Sequence, residues 1–290
     1  MNIGQFFILG NPRSGTSLLR LMLNCHSKLS VPPECGFLLW LEPKYRDWSE
    51  KDLTSNRLNA FIQDLQSSRK FEIWKLDSDF ILEEIKKQNP KTYQTLAQSV
   101  YLSYAVQNEK QPVFLGDKNN YYINHLEALD QLFSQKFIIH IVRDGRDVAV
   151  SYKKLKNIAD TYKYKPKLPT SIEDIAKEWQ RNTLNIHEHY KKSQFYTRIR
   201  YEDLLLRPIE VLSNVLMKFN LHFEPEMLEF YAQKSDFMKE PKETLAWKKK
   251  TLEPIDINLI GSFKTQLTNA EISSFNTSAA VALKTFGYAS

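Results

Sequence analysis

The run Phe6-Phe7-Ile8-Leu9-Gly10-Asn11-Pro12-Arg13-Ser14-Gly15-Thr16-Ser17 constrains the fold more than any other stretch of the chain. Its four apolar residues read as a buried strand, Gly10 to Gly15 as a tight turn, and Leu18-Leu19-Arg20-Leu21-Met22-Leu23 as an amphipathic helix. Backbone N–H groups in such a turn, together with the positive end of the following helix, form an anion site. The spacing Gly10-x4-Gly15-x-Ser17 is that of a nucleoside-triphosphate loop, but Thr16 stands where that loop carries the lysine for the β- and γ-phosphates. The cation is Arg13, inside the turn. This combination suits a phosphate-like group other than ATP·Mg, with a purely structural strand-to-helix turn as the alternative.

The chain has 290 residues, 42% hydrophobic and 12% aromatic, enough for a substantial core. No repeat or low-complexity linker divides it, so one domain over 1–290 is expected. The net charge of +6 suits an anionic ligand. No nucleic-acid-binding motif occurs and the lysines are scattered, so no nucleic-acid partner is expected. Two cysteines, Cys25 and Cys35, indicate no disulfide framework. No leader-like segment follows Met1, and no apolar run approaches the roughly 18 residues of a membrane span. The expectation is a cytoplasmic chain without stable membrane insertion, with a homodimer left open.

Three further β-rich runs, at 112–116, 137–142 and 195–200, lie between helical patterns. Continuously apolar strands of this kind predict an α/β fold: a P-loop-like parallel sheet of about four to five strands flanked by helices. Mixed charge with helical periodicity over about 48–110 predicts an inserted helical region. Helices are also expected near 120–134, 145–156, 171–192, 208–220, 224–234 and 268–285. Segments 156–170 and 236–266 read as irregular, and both are candidates to cover a cleft.

Ligands of open α/β sheets bind beyond the carboxyl ends of the strands. That rule selects the loop after Gly10, Asp117-Lys118-Asn119, Arg143-Asp144-Gly145-Arg146 and Tyr201-Glu202-Asp203. Arg143 and Arg146, with Ser151, suit a second phosphate; alternatively Asp144 caps a helix and the arginines are solvated. Lys118 is placed to reach the cleft, or is a surface lysine. Glu34 follows Pro32-Pro33, a rigid pair that fixes where its carboxylate points, unless it caps a helix near Gly36. His187 and His189 are two apart on a predicted helix and His140 lies among strand apolars, so no metal site is expected.

Residues 12–18, Pro12-Arg13-Ser14-Gly15-Thr16-Ser17-Leu18, resemble the 5′-phosphosulfate loop of the sulfotransferases that use 3′-phosphoadenosine 5′-phosphosulfate (PAPS). Arg143 and Ser151 match the family pattern Arg-Asp-x-Arg-x-x-x-x-Ser, which holds the 3′-phosphate. The resemblance implies that Arg13, Ser14, Gly15, Thr16 and Ser17 bind the phosphosulfate and that Tyr201 lies near the adenine. Gly261-Ser262-Phe263-Lys264 resembles a segment whose basic residue, here Lys264, closes over the 3′-phosphate, with Phe263 in place of the family's Trp. Trp179 matches a Trp that often packs near the nucleotide, although a core role suits it better.

The stretch 12–34 is most similar to the branch of tyrosylprotein sulfotransferases and bacterial relatives. There a Glu matching Glu34 is the general base, a Lys matching Lys118 assists transfer, and Arg13 meets the phosphosulfate. Pro33 replaces the first of two consecutive glutamates of the tyrosylprotein enzymes, which weighs against peptide tyrosine as the acceptor and leaves its class open. The resemblance therefore implies transfer of a sulfuryl group to a hydroxyl or amine, with PAP (adenosine 3′,5′-bisphosphate) as product and no metal. The alternatives are a P-loop kinase of a small metabolite and a non-catalytic nucleotide-binding protein.

Overall fold

The structure is a computed structural model that describes residues 3–288 except 157, 159 and 234–239. Its centre is a parallel sheet of five strands: β1 (Gly4–Leu9), β2 (Leu29–Ser30), β3 (Phe114–Lys118), β4 (Phe137–Val142) and β5 (Tyr196–Arg200), in the order β2-β3-β1-β4-β5. The chain leaves β1 toward β2 and β3, then crosses it to reach β4 and β5. The carboxyl end of β1 is therefore the point where strand order reverses, the place where such sheets bind ligands.

Alternation along β1 divides the core. Phe6 and Ile8 pack with Leu19, Met22 and Leu23 of helix α1 (Thr16–Cys25) on one face. Phe7 and Leu9 pack on the other face with the helical insertion, notably Trp74 and Tyr101, and with Phe37 ahead of it. Both faces are covered, which is why the strands read as unbroken apolar runs rather than as alternating ones. The insertion holds helices Ser55–Ser67, Ser78–Gln88 and Tyr93–Gln107, the first two linked through the 3-10 turn Phe71–Trp74.

Sequence periodicity located four of the strands and missed β2, which at two residues is too short to carry a pattern. It also placed the second β-rich run two residues early. The β1 pairing carries that strand on through Phe7↔Asp117 and Ile8↔Lys118, so polar residues complete the ladder at the cleft end. The run expected near 120–134 is a 3-10 turn (Asn120–Asn124) and a helix (Leu126–Leu132). The one near 224–234 is reduced to the 3-10 turn Pro225–Glu229, and that near 268–285 breaks into Asn269–Ser278 and Ala280–Thr285. Segment 240–266 contains several single helical turns, while 236–239 of the expected irregular stretch lie outside the described residues.

Candidate active site

The loop after β1 needs two unusual backbone positions. Arg13 has φ +69° and Gly15 φ +93°, both left-handed, and Gly15 directly precedes α1. A Cβ on Gly15 would lie 2.3 Å from the Tyr201 ring, and one on Gly10 would lie 2.5 Å from the Ile141 carbonyl oxygen. Glycine is thus required at Gly15 by both conformation and space. Asn11 holds the loop from below: its Nδ2 donates to the Tyr152 hydroxyl (3.1 Å) and its Oδ1 accepts from Asn182 (2.9 Å).

A cavity of about 500 Å³ opens over this loop, walled by Arg13, Gly15, Thr16, Ser17, Lys118, Arg143, Ser151 and Tyr201. Arg13 Nε donates to Ser151 Oγ (3.0 Å) and Nη2 to the Trp247 carbonyl (2.8 Å). Burial, with Arg143 nearby, lowers the Arg13 guanidinium to about 10, which leaves it charged at neutral pH. Arg143 lies over the Tyr201 ring, 4.6 Å from its centroid, and donates to the carbonyls of Arg13 (3.3 Å) and Leu259 (3.1 Å). Its Nε is buried with no hydrogen-bond partner among the described residues. A buried donor left unmatched beside two cations and an aromatic wall fits an anionic, nucleotide-like ligand.

Glu34 stands at the far end of the cavity. Its loop is held by Trp74 Nε1, which donates to the Pro33 carbonyl (2.8 Å), and by Asn24 Oδ1, which accepts from the Val31 amide (2.8 Å). Its two carboxylate oxygens each accept from a lysine: Oε2 from Lys118 (2.7 Å) and Oε1 from Lys70 (2.5 Å). Burial pushes the carboxyl up, but Lys118, Lys70 and Lys248 outweigh it and hold the group well below the usual carboxylate range. Glu34 does not cap the next helix; Gly36 is the cap residue there, without a side-chain bond.

Beneath Lys118, Asp117 Oδ2 accepts from the hydroxyls of Tyr101 and Tyr122, both at 2.5 Å. Burial raises its carboxyl to about 6, against those two hydrogen bonds.

Not every residue singled out in the sequence reaches the cavity. Ser14 is buried, with its hydroxyl unpartnered, and is not in the wall. Lys264 is exposed and outside the wall, because Asp147 accepts from the Gly261 amide (2.8 Å), Ser262 Oγ (2.9 Å) and the Phe263 amide (2.9 Å) and binds that segment to the helix Gly145–Lys156. Arg146 is held by Asp144 (2.7 Å) and lies over Phe263. Asp144 also caps the helix through the Arg146 amide (2.9 Å). Trp179 is core, with its Nε1 donating to the Arg143 carbonyl (3.1 Å) and so bracing that arginine.

Five lysines that sequence reasoning missed line the cavity: Lys70, Lys154, Lys248, Lys249 and Lys250. Lys70 follows the helix Ser55–Ser67 at a left-handed φ of +72°. Lys248 is bonded to Glu240 (2.7 Å), whose other oxygen meets the fully buried Arg20 of α1 (3.0 Å). Burial lowers Lys248 to about 8, opposed by Glu240. No local pattern distinguishes these lysines from the other basic residues of the chain. Among the described residues, no group of three or more His, Cys, Asp or Glu is arranged to hold a metal, and no helix is long and apolar enough to cross a membrane.

Residues 5–225 match the model of a sulfotransferase family. The chain belongs to that family. Its fold is similar to the sulfotransferase domain of the curacin biosynthetic pathway, with a TM-score of 0.62 and 24% identity, over 96% of this chain and 98% of that one. It is similar also to the sulfotransferase domain of the Synechococcus PCC 7002 olefin synthase, with a TM-score of 0.63 and 24% identity, over 100% and 96%. A mouse sulfotransferase, SULT7A1, complexed with PAP, aligns with a TM-score of 0.52 and 13% identity, over 97% and 84%. No curated protein matches the chain.

Proposed function

We propose that this sulfotransferase takes its sulfuryl group from PAPS and delivers it to a hydroxyl or amine, with Glu34 as the general base. The observation that carries this reading is the placement of Glu34 between Lys118 and Lys70, in the same cavity as Arg13, Ser151 and Arg143. The 5′-phosphosulfate suits the loop amides of 13–17 with Arg13, and the 3′-phosphate suits Arg143 and Ser151. Tyr201, under the Arg143 guanidinium, offers the adenine a flat wall.

PAPS supplies the activated sulfuryl when bound. Glu34 takes the acceptor proton as the acceptor–sulfur bond forms and the sulfur–oxygen bond to the 5′-phosphate breaks, leaving PAP. Lys118 and Arg13 stabilise charge that collects on the bridging and phosphate oxygens. A carboxylate held by two lysines is a weak base. Turning Lys118 toward the phosphosulfate removes one of those partners and makes Glu34 more basic when the donor is present. Lys264 remains an expected 3′-phosphate contact only through movement of its segment.

A kinase would need Mg²⁺ to bridge its phosphates and a lysine at position 16. The deciding experiment is PAPS turnover, as slow hydrolysis or as transfer to a surrogate phenol, in excess EDTA. It should persist there, with no γ-phosphate released from ATP and Mg²⁺. Activity that requires Mg²⁺ and consumes ATP would overturn the reading.

A further inference from the structure

Glu34 is shared by two cavities. Beside the one over the β1 loop lies a second, of about 780 Å³, and the two have Glu34, Lys70, Leu155, Tyr164 and Pro166 in common. Glu34 and Lys70, joined by their ion pair, thus stand in both walls.

The charge of that second cavity is one-sided. Its wall carries Arg69, Lys70, Lys156, Lys163, Lys165 and Lys167, against the carboxylates of Glu34 and Asp160. Three of the cations are matched: Lys70 by Glu34 (2.5 Å), Lys163 by Glu72 (2.8 Å) and Lys165 by Asp160 (2.7 Å). Arg69 lies over the Tyr164 ring, 5.5 Å from its centroid, and neither it nor Lys156 nor Lys167 has an ion-pair partner among the described residues. Tyr162 and Tyr164, with Pro166 and Pro169, give the same wall apolar surface. A cavity of this kind favours an organic body that ends in negative charge.

We infer that the second cavity is the acceptor site, and that the acceptor carries an anionic group, a carboxylate or a phosphate, apart from the hydroxyl that receives the sulfuryl group. This rests on the reading of Glu34 as the base. Arg69, Lys156 and Lys167 hold the anion, while the hydroxyl gives its proton to Glu34 and bonds to sulfur as PAP leaves. The three cations determine specificity and take no part in bond making.

The test uses three phenols: para-hydroxyphenylpropionate, its uncharged amide, and tyrosol phosphate. Binding of each to the full chain saturated with PAP is measured by calorimetry, and kcat/KM by PAPS-dependent transfer. The two anionic phenols should bind at least about tenfold tighter than the amide at low salt, a preference that shrinks as salt screens the rim. Which of the two is favoured separates phosphate from carboxylate recognition. Lys167→Ala and Lys156→Ala should each cut the anion-over-amide ratio by about three- to tenfold, while PAP affinity holds. Equal binding of all three phenols, or a ratio untouched in both variants, overturns the inference. If PAP binds normally in that event, the donor assignment stands and only the acceptor class falls. If PAP fails to bind the unaltered chain, the reading of the nucleotide site falls and takes this inference with it.

Discussion

Lys118, the last residue of β3, donates to Glu34 Oε2 at 2.7 Å across 84 positions of sequence. The pair joins a strand end that faces the cavity over the β1 loop to a loop held by the helical insertion, through the Trp74 bond to Pro33. In the proposed function it therefore couples the donor side of the cavity to the acceptor side.

Replacing Glu34 with Gln removes the proposed base and keeps the shape. Turnover should fall by roughly 10²–10⁴-fold, the usual contribution of a positioned base. PAP affinity should hold or tighten, because Lys118 and Lys70 lose the carboxylate that neutralises them. Steady-state rates set against a PAP binding isotherm decide it; near-normal turnover would remove Glu34 from the mechanism.

Arg143→Ala should act on binding rather than on chemistry. The guanidinium is assigned to the 3′-phosphate, and a hydrogen bond to a charged group contributes about 1.5–3 kcal/mol. In the unaltered protein, PAP at 100-fold excess over its dissociation constant should stabilise the fold by about 2.7 kcal/mol, and AMP at the same concentration by much less. The variant should bring PAP down to the level of AMP in a thermal-shift titration. An unchanged gap between the two nucleotides would place the 3′-phosphate elsewhere.

Lys248 introduces a pH limit. Its ammonium is pulled down to about 8 by burial, against Glu240, and it lines the cavity near Glu34 and Lys118. Below that value the group is charged and supports an anionic transition state; above it the charge is lost. Turnover should decline as pH rises through about 8, and Lys248→Arg should move that decline to higher pH. A profile flat to well above 8 in the unaltered chain would show that the charge of Lys248 is not used.

Asp117 predicts the shape of the stability curve in acid. Burial raises its folded value to about 6 from an ordinary 3.8, so between those values the folded state binds more protons than the unfolded state. Stability from this group is therefore fully present below about pH 4 and lost as pH rises through about 6, a change on the order of 3 kcal/mol. Asp117→Asn should flatten that part of the curve in urea melts, since an amide oxygen can still accept from Tyr101 and Tyr122. An unchanged slope would assign the acid dependence to other groups.

The strand, turn and helix from Gly4 to Cys25 were legible because each signal is local: apolar continuity, two glycines at fixed spacing, and helical periodicity within about twenty residues. The Arg143 to Ser151 pair was legible for the same reason, eight positions apart on one helix entry. Lys70 and Lys248 were not, because a lysine in a charged helical region or an irregular loop carries no sign of the direction it will face. Lys264 shows the reverse: a motif was present, and Asp147 holds the segment so that the lysine lies outside the cavity.

By itself the sequence determined the parallel α/β architecture and the strand-turn-helix loop after β1, because periodicity and turn chemistry act over a few neighbours. Tertiary structure alone decided which charges meet. Arg13 reaches Ser151 across 138 positions, Glu34 reaches Lys118 across 84 and Lys70 across 36, and Arg20 reaches Glu240 across 220. Those pairings exist because the insertion packs on one face of β1 and segment 240–256 closes over α1 and the β1 loop. A buried charge is costly unless it is matched, and which partner matches it is set by packing rather than by any spacing along the chain.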